Sequence, residues 1–151
     1  IVKNKIFNNM HLKVNFDEGE INLDNSILTS NKIGVLKIYD SGFIEKDQKI
    51  FFEGRLKFNV SKIKHFYKTL LIPKKIRKNF EAIEVNVSFD LTNGDTTVNN
   101  IIFYSNNGKK INSEKIDQAV EDNIEYKYNY SNFISFKNFL KKIAYIYSQE
   151  G

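Results

Sequence analysis

Residues 83–104 read IEVNVSFDLTNGDTTVNNIIFY, and this stretch decides the fold. Apolar residues occupy every second position over Ile83–Leu91, with polar residues between them, which is the period of a strand buried on one face. The Asn93–Asp95 segment favours a tight hairpin turn, because asparagine and glycine adopt positive φ at little cost. The returning strand is expected over Thr96–Tyr104. The stretch therefore predicts an antiparallel hairpin with one apolar face and one wet face.

Short runs of the same period fill the sixty residues at the start of the chain. They lie at Leu12–Phe16, Ile21–Leu23, Ile33–Ile38 and Ile50–Val60. Turn residues separate the runs, with Asp40-Ser41-Gly42 as the turn after the third of them. Gly54 interrupts the last run, and glycine inside a strand pattern often marks a bulge or bend. The pattern predicts a curved β meander that leads into the hairpin.

Three segments change to the helical period of 3.6 residues. The first is an amphipathic helix at about residues 61–72, with Ser61 as its N-cap and Pro73 ending it. A polar, weakly amphipathic helix is expected over residues 113–124. A terminal helix at about residues 132–148 carries an apolar stripe that needs a partner surface. The fold class is therefore α+β, with helices packed over one face or end of a mainly antiparallel sheet.

The chain of 151 residues has the length of one ordinary domain. We expect a single module over residues 1–151, with a β-rich part at 1–110 that contains the inserted helix and a helical part at 111–151. The chain begins at Ile1 without a methionine or a leader, which suggests a fragment of a larger protein. No window has the roughly 18 uninterrupted apolar residues of a membrane span.

The residue types that carry catalysis are sparse and scattered. The two histidines, His11 and His65, do not stand at a metal-ligand spacing with each other or with paired carboxylates. Ser41 is read as part of a turn, and the seven glycines form no phosphate-binding loop. Cysteine is absent, which excludes disulfides, thiolate metal sites and cysteine nucleophiles. We therefore predict a protein without enzymatic activity, cofactor or metal.

Lysine and arginine number 23 against 18 acidic residues, for a formal net charge of +5. Four of these cations cluster after the first helix, at Lys74, Lys75, Arg77 and Lys78. Such a cluster could meet nucleic acid, but the nearby aromatic residues Phe66, Tyr67 and Phe80 suit core positions better than base stacking. The tyrosines Tyr126, Tyr128 and Tyr130 could form a stacking platform, although alternating tyrosines more often pack against a sheet edge. A solvated or structural role is therefore favoured for both features.

Several short motifs resemble the C-terminal region of AsmA-like proteins from alphaproteobacteria. They include Phe52-Glu53-Gly54-Arg55-Leu56, Phe66-Tyr67, Ile72-Pro73-Lys74-Lys75, Arg77-Lys78 and Phe89-Asp90-Leu91. In that family, strands are followed by a proline-containing basic segment and then a β hairpin. The earlier segments Phe7–Met10, Gly19–Ile21 and Ile33–Leu36 also fit, so the resemblance extends over most of the chain.

The resemblance implies a role in envelope biogenesis. AsmA-like proteins are anchored in the inner membrane and extend through the periplasm as curved β structures whose apolar groove is thought to carry phospholipid. By this resemblance, the apolar face would line a groove or lie beneath a helix, and the four cations would meet lipid phosphates. That face consists of Ile83, Val85, Val87, Phe89 and Leu91, and the cations are Lys74, Lys75, Arg77 and Lys78.

Two alternatives remain open at this point. In one, the module is a structural capping or protein-interaction domain whose apolar face is fully covered. In the other, it is a basic nucleic-acid-binding module, whose affinity would fall steeply with salt. An exposed apolar patch beyond a few hundred Å² would favour groove or partner binding over capping.

Overall fold

The structure is a computed structural model that describes residues 7–122 and 133–149. Within these ranges the protein is α+β, as predicted, and its main element is an antiparallel sheet of seven strands. The strands are β1 (Asn9–His11), β2 (Asn15–Asp17), β3 (Glu20–Asn22), β4 (Ile27–Ser30), β5 (Gly34–Lys46), β6 (Lys49–Val60), β7 (Ala82–Asp90), β8 (Thr96–Tyr104) and β9 (Lys110–Ile111). The main sheet has the order β1-β4-β5-β6-β7-β8-β9, and β2 and β3 form a separate small hairpin. The predicted meander and hairpin are thus both present.

The inserted helix, α1 (Ile63–Thr69), is shorter than the sequence predicts. The prediction of Ser61 as its N-cap was wrong, because the Ser61 hydroxyl donates to the Ile33 carbonyl and the helix begins two residues later. Leu71 then takes a left-handed conformation, with φ of 53°, and Pro73 leads into a single 3-10 turn (Lys74–Ile76). The chain therefore reverses direction between α1 and β7.

The other two helices follow β9. Helix α2 (Glu114–Asp122) has Ser113 at its N-cap, whose hydroxyl accepts a hydrogen bond from the Ile116 N–H at 3.1 Å. Helix α3 (Phe133–Gln149) agrees with the predicted terminal helix. The three tyrosines at 126, 128 and 130 lie outside the described residues. None of the helices in the described ranges is long and apolar enough to cross a membrane.

The predicted turn at Asp40-Ser41-Gly42 is in fact a β-bulge inside β5. Pairing between β5 and β6 shifts register between Tyr39 and Gly42, so that Asp40 and Ser41 together lie opposite Gly54 of β6. Strand β5 continues to Lys46, and the chain turns at Asp47–Gln48, where both residues have positive φ. Gly54 on β6 did mark the position of the bend, but the extra residue of the bulge lies on the neighbouring strand, β5.

A second bulge lies in the same cross-strand row. Pairing between β7 and β8 shifts register between Asn86 and Val87, which leaves Asn99 without a partner in the ladder. Val87 is in turn the partner of Gly54 on β6. Because a bulge bends its strand and increases the local twist, two bulges in one row bend the sheet along that row.

The core lies between the helices and one end of the sheet. Fifteen buried side chains form it: Tyr67, Ile72, Ile76, Phe80, Ile83, Val98, Ile101, Phe103, Ile116, Ala119, Val120, Phe139, Ile143, Ala144 and Tyr147. At its centre, the Phe103 and Tyr147 rings stack at 4.3 Å between centroids, and Phe80 contacts both edge-on. Aromatic pairs of this kind add about 0.5–1.5 kcal/mol beyond area burial. The helical layer is therefore firmly attached to one half of the sheet only.

Asp90 fixes the turn between β7 and β8. Burial opposes ionisation of its carboxylate, but hydrogen bonds from the N–H of Thr92 at 2.8 Å and from the Lys49 ammonium at 3.4 Å outweigh it. The pKa of Asp90 is therefore lowered below its ordinary value of 3.8. A carboxylate with a depressed folded pKa stabilises the protein above its unfolded pKa, and this contribution is lost as the pH falls through the folded pKa.

Asp90→Asn is accordingly expected to destabilise the protein at neutral pH and to lose this effect in acid. The free energy of unfolding of wild type and variant, measured by urea denaturation from pH 7 to pH 3, should differ most at neutral pH. The difference should shrink as the pH drops below 3.8. A difference that is independent of pH would show that Asp90 acts through turn geometry alone.

Candidate functional site

An apolar surface runs along one face of the main sheet in four cross-strand rows. The first row joins Leu36, Phe58 and Ile83, and the second joins Leu56 and Val85. The third row joins Gly54, Val87 and Val98, and the fourth joins Phe52, Phe89 and Thr96. These four rows are called the floor below. The floor exists because β6, β7 and β8 present alternate residues to one side of the sheet.

Helices α1 and α3 cover part of this floor. Phe66 and Thr69 come from α1, Leu70 is its C-cap residue, and Leu140 comes from α3. Phe7 and Ile33 flank the β5 side, and the Phe7 ring lies edge-on to Phe58 at 6.4 Å. We call these six residues the roof.

Floor and roof enclose a groove of about 520 Å³. This volume lies within the range of roughly 300–1,000 Å³ typical of small-molecule sites. Among the described residues, the only polar side chains along it are the hydroxyls of Thr69 and Thr96, and none of the described residues that line it is charged. The groove can therefore hold an aliphatic chain but offers no partner for a buried charge.

Four of the five residues predicted for the apolar face line this groove, namely Ile83, Val85, Val87 and Phe89. Leu91 does not, because β7 ends at Asp90 and Leu91 lies in the following turn, where it is exposed. Its N–H still donates to the Ile50 carbonyl at 2.9 Å, which places it just beyond the fourth row. The sequence predicted the strand runs that hold Leu36 and Phe52 and the inserted helix, but not that their apolar residues would meet those of β7, since this depends on strand pairing and on the position of the helix.

The four predicted head-group cations do not line the groove. Lys74 and Lys75 are exposed on the 3-10 turn. Arg77 instead donates through Nε and Nη2 to the Ile72 carbonyl, at 3.0 and 2.8 Å, and lies over the Tyr67 ring. The Lys78 ammonium lies 4.7 Å from the centre of the Tyr147 ring. The second pair of cations thus stabilises the connection after α1.

Two tyrosine hydroxyls donate hydrogen bonds to the backbone of this connection. The Tyr67 hydroxyl donates to the Lys78 carbonyl, and the Tyr147 hydroxyl donates to the Asn79 carbonyl at 3.0 Å. Burial raises the pKa of Tyr147 to about 12, and it also raises the pKa of Tyr67. Both phenols therefore stay protonated at neutral pH and act as hydrogen-bond donors.

The opposite face of the sheet is not uniformly exposed to solvent, contrary to the prediction of one apolar and one solvated face. Glu84 is buried, where its carboxylate accepts from the Tyr104 hydroxyl at 3.2 Å and lies 3.4 Å from an Arg55 nitrogen. Arg55 also reaches Asp40 at 2.8 Å, on the bulge of β5. Burial, followed by the nearby Glu84 charge, raises the pKa of Tyr104. A cross-strand ion pair therefore replaces solvent at this position, which polar alternation alone does not predict.

The remaining candidates for chemistry have structural roles or lie on the surface. The Ser41 hydroxyl donates to the Asp24 carboxylate at 2.7 Å and accepts from the Leu23 N–H at 2.9 Å, so it ties the β3–β4 connection to the bulge. His11 and His65 are both exposed. Within the described ranges, no group of three or more histidine, cysteine or acidic residues could hold a metal ion.

Comparison of the chain with protein-family models, with curated proteins and with solved structures gives no match. The functional argument therefore rests on the groove and its surroundings.

Proposed function

We propose that the protein is a non-catalytic lipid-binding module whose groove holds an acyl chain of a phospholipid. The observation that carries the proposal is a groove of about 520 Å³ whose described lining residues include no charged side chain. Each methylene group transferred from water into such a site contributes about 0.8 kcal/mol. A chain of several methylene groups could therefore be held without any specific polar contact.

The setting that we propose is envelope biogenesis, as part of an inner-membrane-anchored protein that faces the periplasm. This part of the proposal rests on the resemblance to AsmA-like proteins, in which an apolar β groove serves phospholipid transfer or outer-membrane assembly. The head group would remain outside the groove, in solvent. Lys74 and Lys75 are exposed on the 3-10 turn after α1 and do not line the groove.

A second candidate function is a protein-interaction or capping domain. It is supported by the start of the chain, where Met10, Leu12, Val14 and Phe16 are all exposed, Phe16 by 77%. Strand β1 lies at the edge of the main sheet, and its only partner among the described strands is β4. Edge strands beside exposed apolar side chains are common sites for strand addition by another chain.

Lipid copurification tests the first proposal against the second. Wild-type protein from a bacterial host, purified without detergent, is expected to retain phospholipid or fatty acid that native mass spectrometry detects as a bound mass. Lipid-stripped protein should also take up a fluorescent fatty acid. Protein that carries no lipid and takes up no probe would favour the interaction domain. Binding to DNA that weakens steeply with salt would favour the nucleic-acid alternative.

A further inference from the structure

The two ends of the groove differ in how well they are closed. At the first row of the floor Ile83 is 9% exposed and belongs to the core, although Leu36 and Phe58 in that row are half-buried, like Phe89 at the fourth row. Just beyond the first row, Ile33 is 5% exposed and its carbonyl accepts from the Ser61 N–H. Beyond the fourth row, Ile50 and Leu91 are 51% and 47% exposed. The groove is therefore closed at the helical end and open at the end of the β5–β6 hairpin.

An aromatic wall forms the closed end. Phe66 of α1 lines the groove, and its ring centre lies 5.8 Å from that of Phe58 and 5.4 Å from that of Phe80. Behind it, Phe80 contacts Phe103 and Tyr147 at the centre of the core. Phe66 thus both faces the groove and contacts Phe80 of the packed aromatic cluster.

Resting on the lipid-binding function proposed above, we propose that the groove takes one unbranched acyl chain, methyl end first, and that Phe66 ends it. The orientation follows from the lining, because a carboxylate or phosphate at the closed end would be buried without a charged partner among the described lining residues. At the open end the Thr96 hydroxyl and solvent are available to the polar group. Phe66 therefore determines which chain length fits.

The length of the floor determines how long an acyl chain can be before it reaches Phe66. The fourth and first rows are six residues apart along both β6 and β7, which corresponds to about 20 Å at about 3.3 Å per residue. Each added methylene group should tighten binding about fourfold until the chain reaches Phe66. Beyond that length, further methylene groups remain in solvent at the open end and the affinity levels off.

The test is displacement of a fluorescent fatty acid from the purified chain by saturated fatty acids from octanoate to stearate. In wild type, affinity is expected to rise with chain length and then reach a plateau. Phe66→Leu places a smaller side chain at the closed end and should move the plateau to longer chains. Phe66→Trp places a larger one there and should move the plateau to shorter chains. Circular dichroism and thermal melting establish that each variant is folded.

Phe80→Leu is the matched control, because it removes the same volume one ring further from the groove and should leave the plateau unchanged. If wild type binds fatty acids but the plateau is the same in both Phe66 variants, the proposal that Phe66 limits chain length is overturned, while the lipid-binding function stands. If wild type binds no fatty acid of any length, both proposals fail together.

Discussion

Val87→Asp is expected to abolish lipid binding while leaving the protein folded. Val87 lies in the middle of the floor, is half-buried, and pairs across the sheet with Gly54. A carboxylate there can be hydrated as long as the groove is empty, but a bound chain would strip its water. Burying an unpaired charge costs several kcal/mol, so the affinity for a fatty acid should fall by roughly 100-fold or more.

Asn86→Asp is the matched control for this experiment. It introduces the same charge one residue earlier, on the opposite face and opposite Arg55 in the β6–β7 register. Bound lipid, measured by native mass spectrometry and by uptake of a fluorescent fatty acid, should be retained in this variant and lost in Val87→Asp. If Val87→Asp instead unfolds, the floor is ordinary core and the capping function replaces the lipid-binding one.

Gly34→Ala is expected to give the largest loss of stability among single-methyl additions. Gly34 has φ of 153°, and an added Cβ would lie 2.0 Å from the Asn59 carbonyl oxygen and 3.1 Å from the Val60 Cα. These are backbone atoms of the paired strand β6, so no side-chain rotation relieves the clash. Overpacking and backbone strain together should cost about 3 kcal/mol or more. Such a loss is a large part of the total stability of a small domain, typically about 5–15 kcal/mol.

Gly42→Ala provides the comparison in the same strand. An added Cβ at Gly42 would meet nothing within 4 Å, so the free energy of unfolding should change by no more than about 0.5 kcal/mol. Urea denaturation followed by circular dichroism and tyrosine fluorescence measures both variants, since the chain has no tryptophan. Equal stability of the two variants would mean that β5 and β6 separate at Gly34 without cost.

Local sequence patterns predicted most of the strands and the terminal helix, because strict alternation and amphipathic spacing depend on neighbouring residues alone. The hairpin of β7 and β8 is an example, since its alternation and its Asn93-Gly94 turn need no information from the rest of the chain. Four of the five predicted face residues line the groove for the same reason.

Features that depend on two strands at once were missed. The bulge at Asp40 and Ser41 was read as a turn, because its residues are turn residues and only the pairing with β6 shows that the strand continues. Likewise, Glu84 looked like a solvated position, and its burial follows from Arg55, which is 29 residues away in the chain. Whether the apolar face was open or covered also required the positions of α1 and α3.

The strand order has a consequence for the way in which the groove forms during folding. From β4 to β9, neighbours in the sheet are consecutive in the chain, so the floor can form by pairing of each strand with the next, the longest connection being the α1-containing segment between β6 and β7. Leu140 of α3 reaches the floor from far along the sequence, and on a growing chain it is synthesised after every strand. The floor therefore exists before its roof is complete. During that interval the apolar rows are open to water, and the partly folded species is the one most prone to aggregate or to capture a hydrophobic molecule.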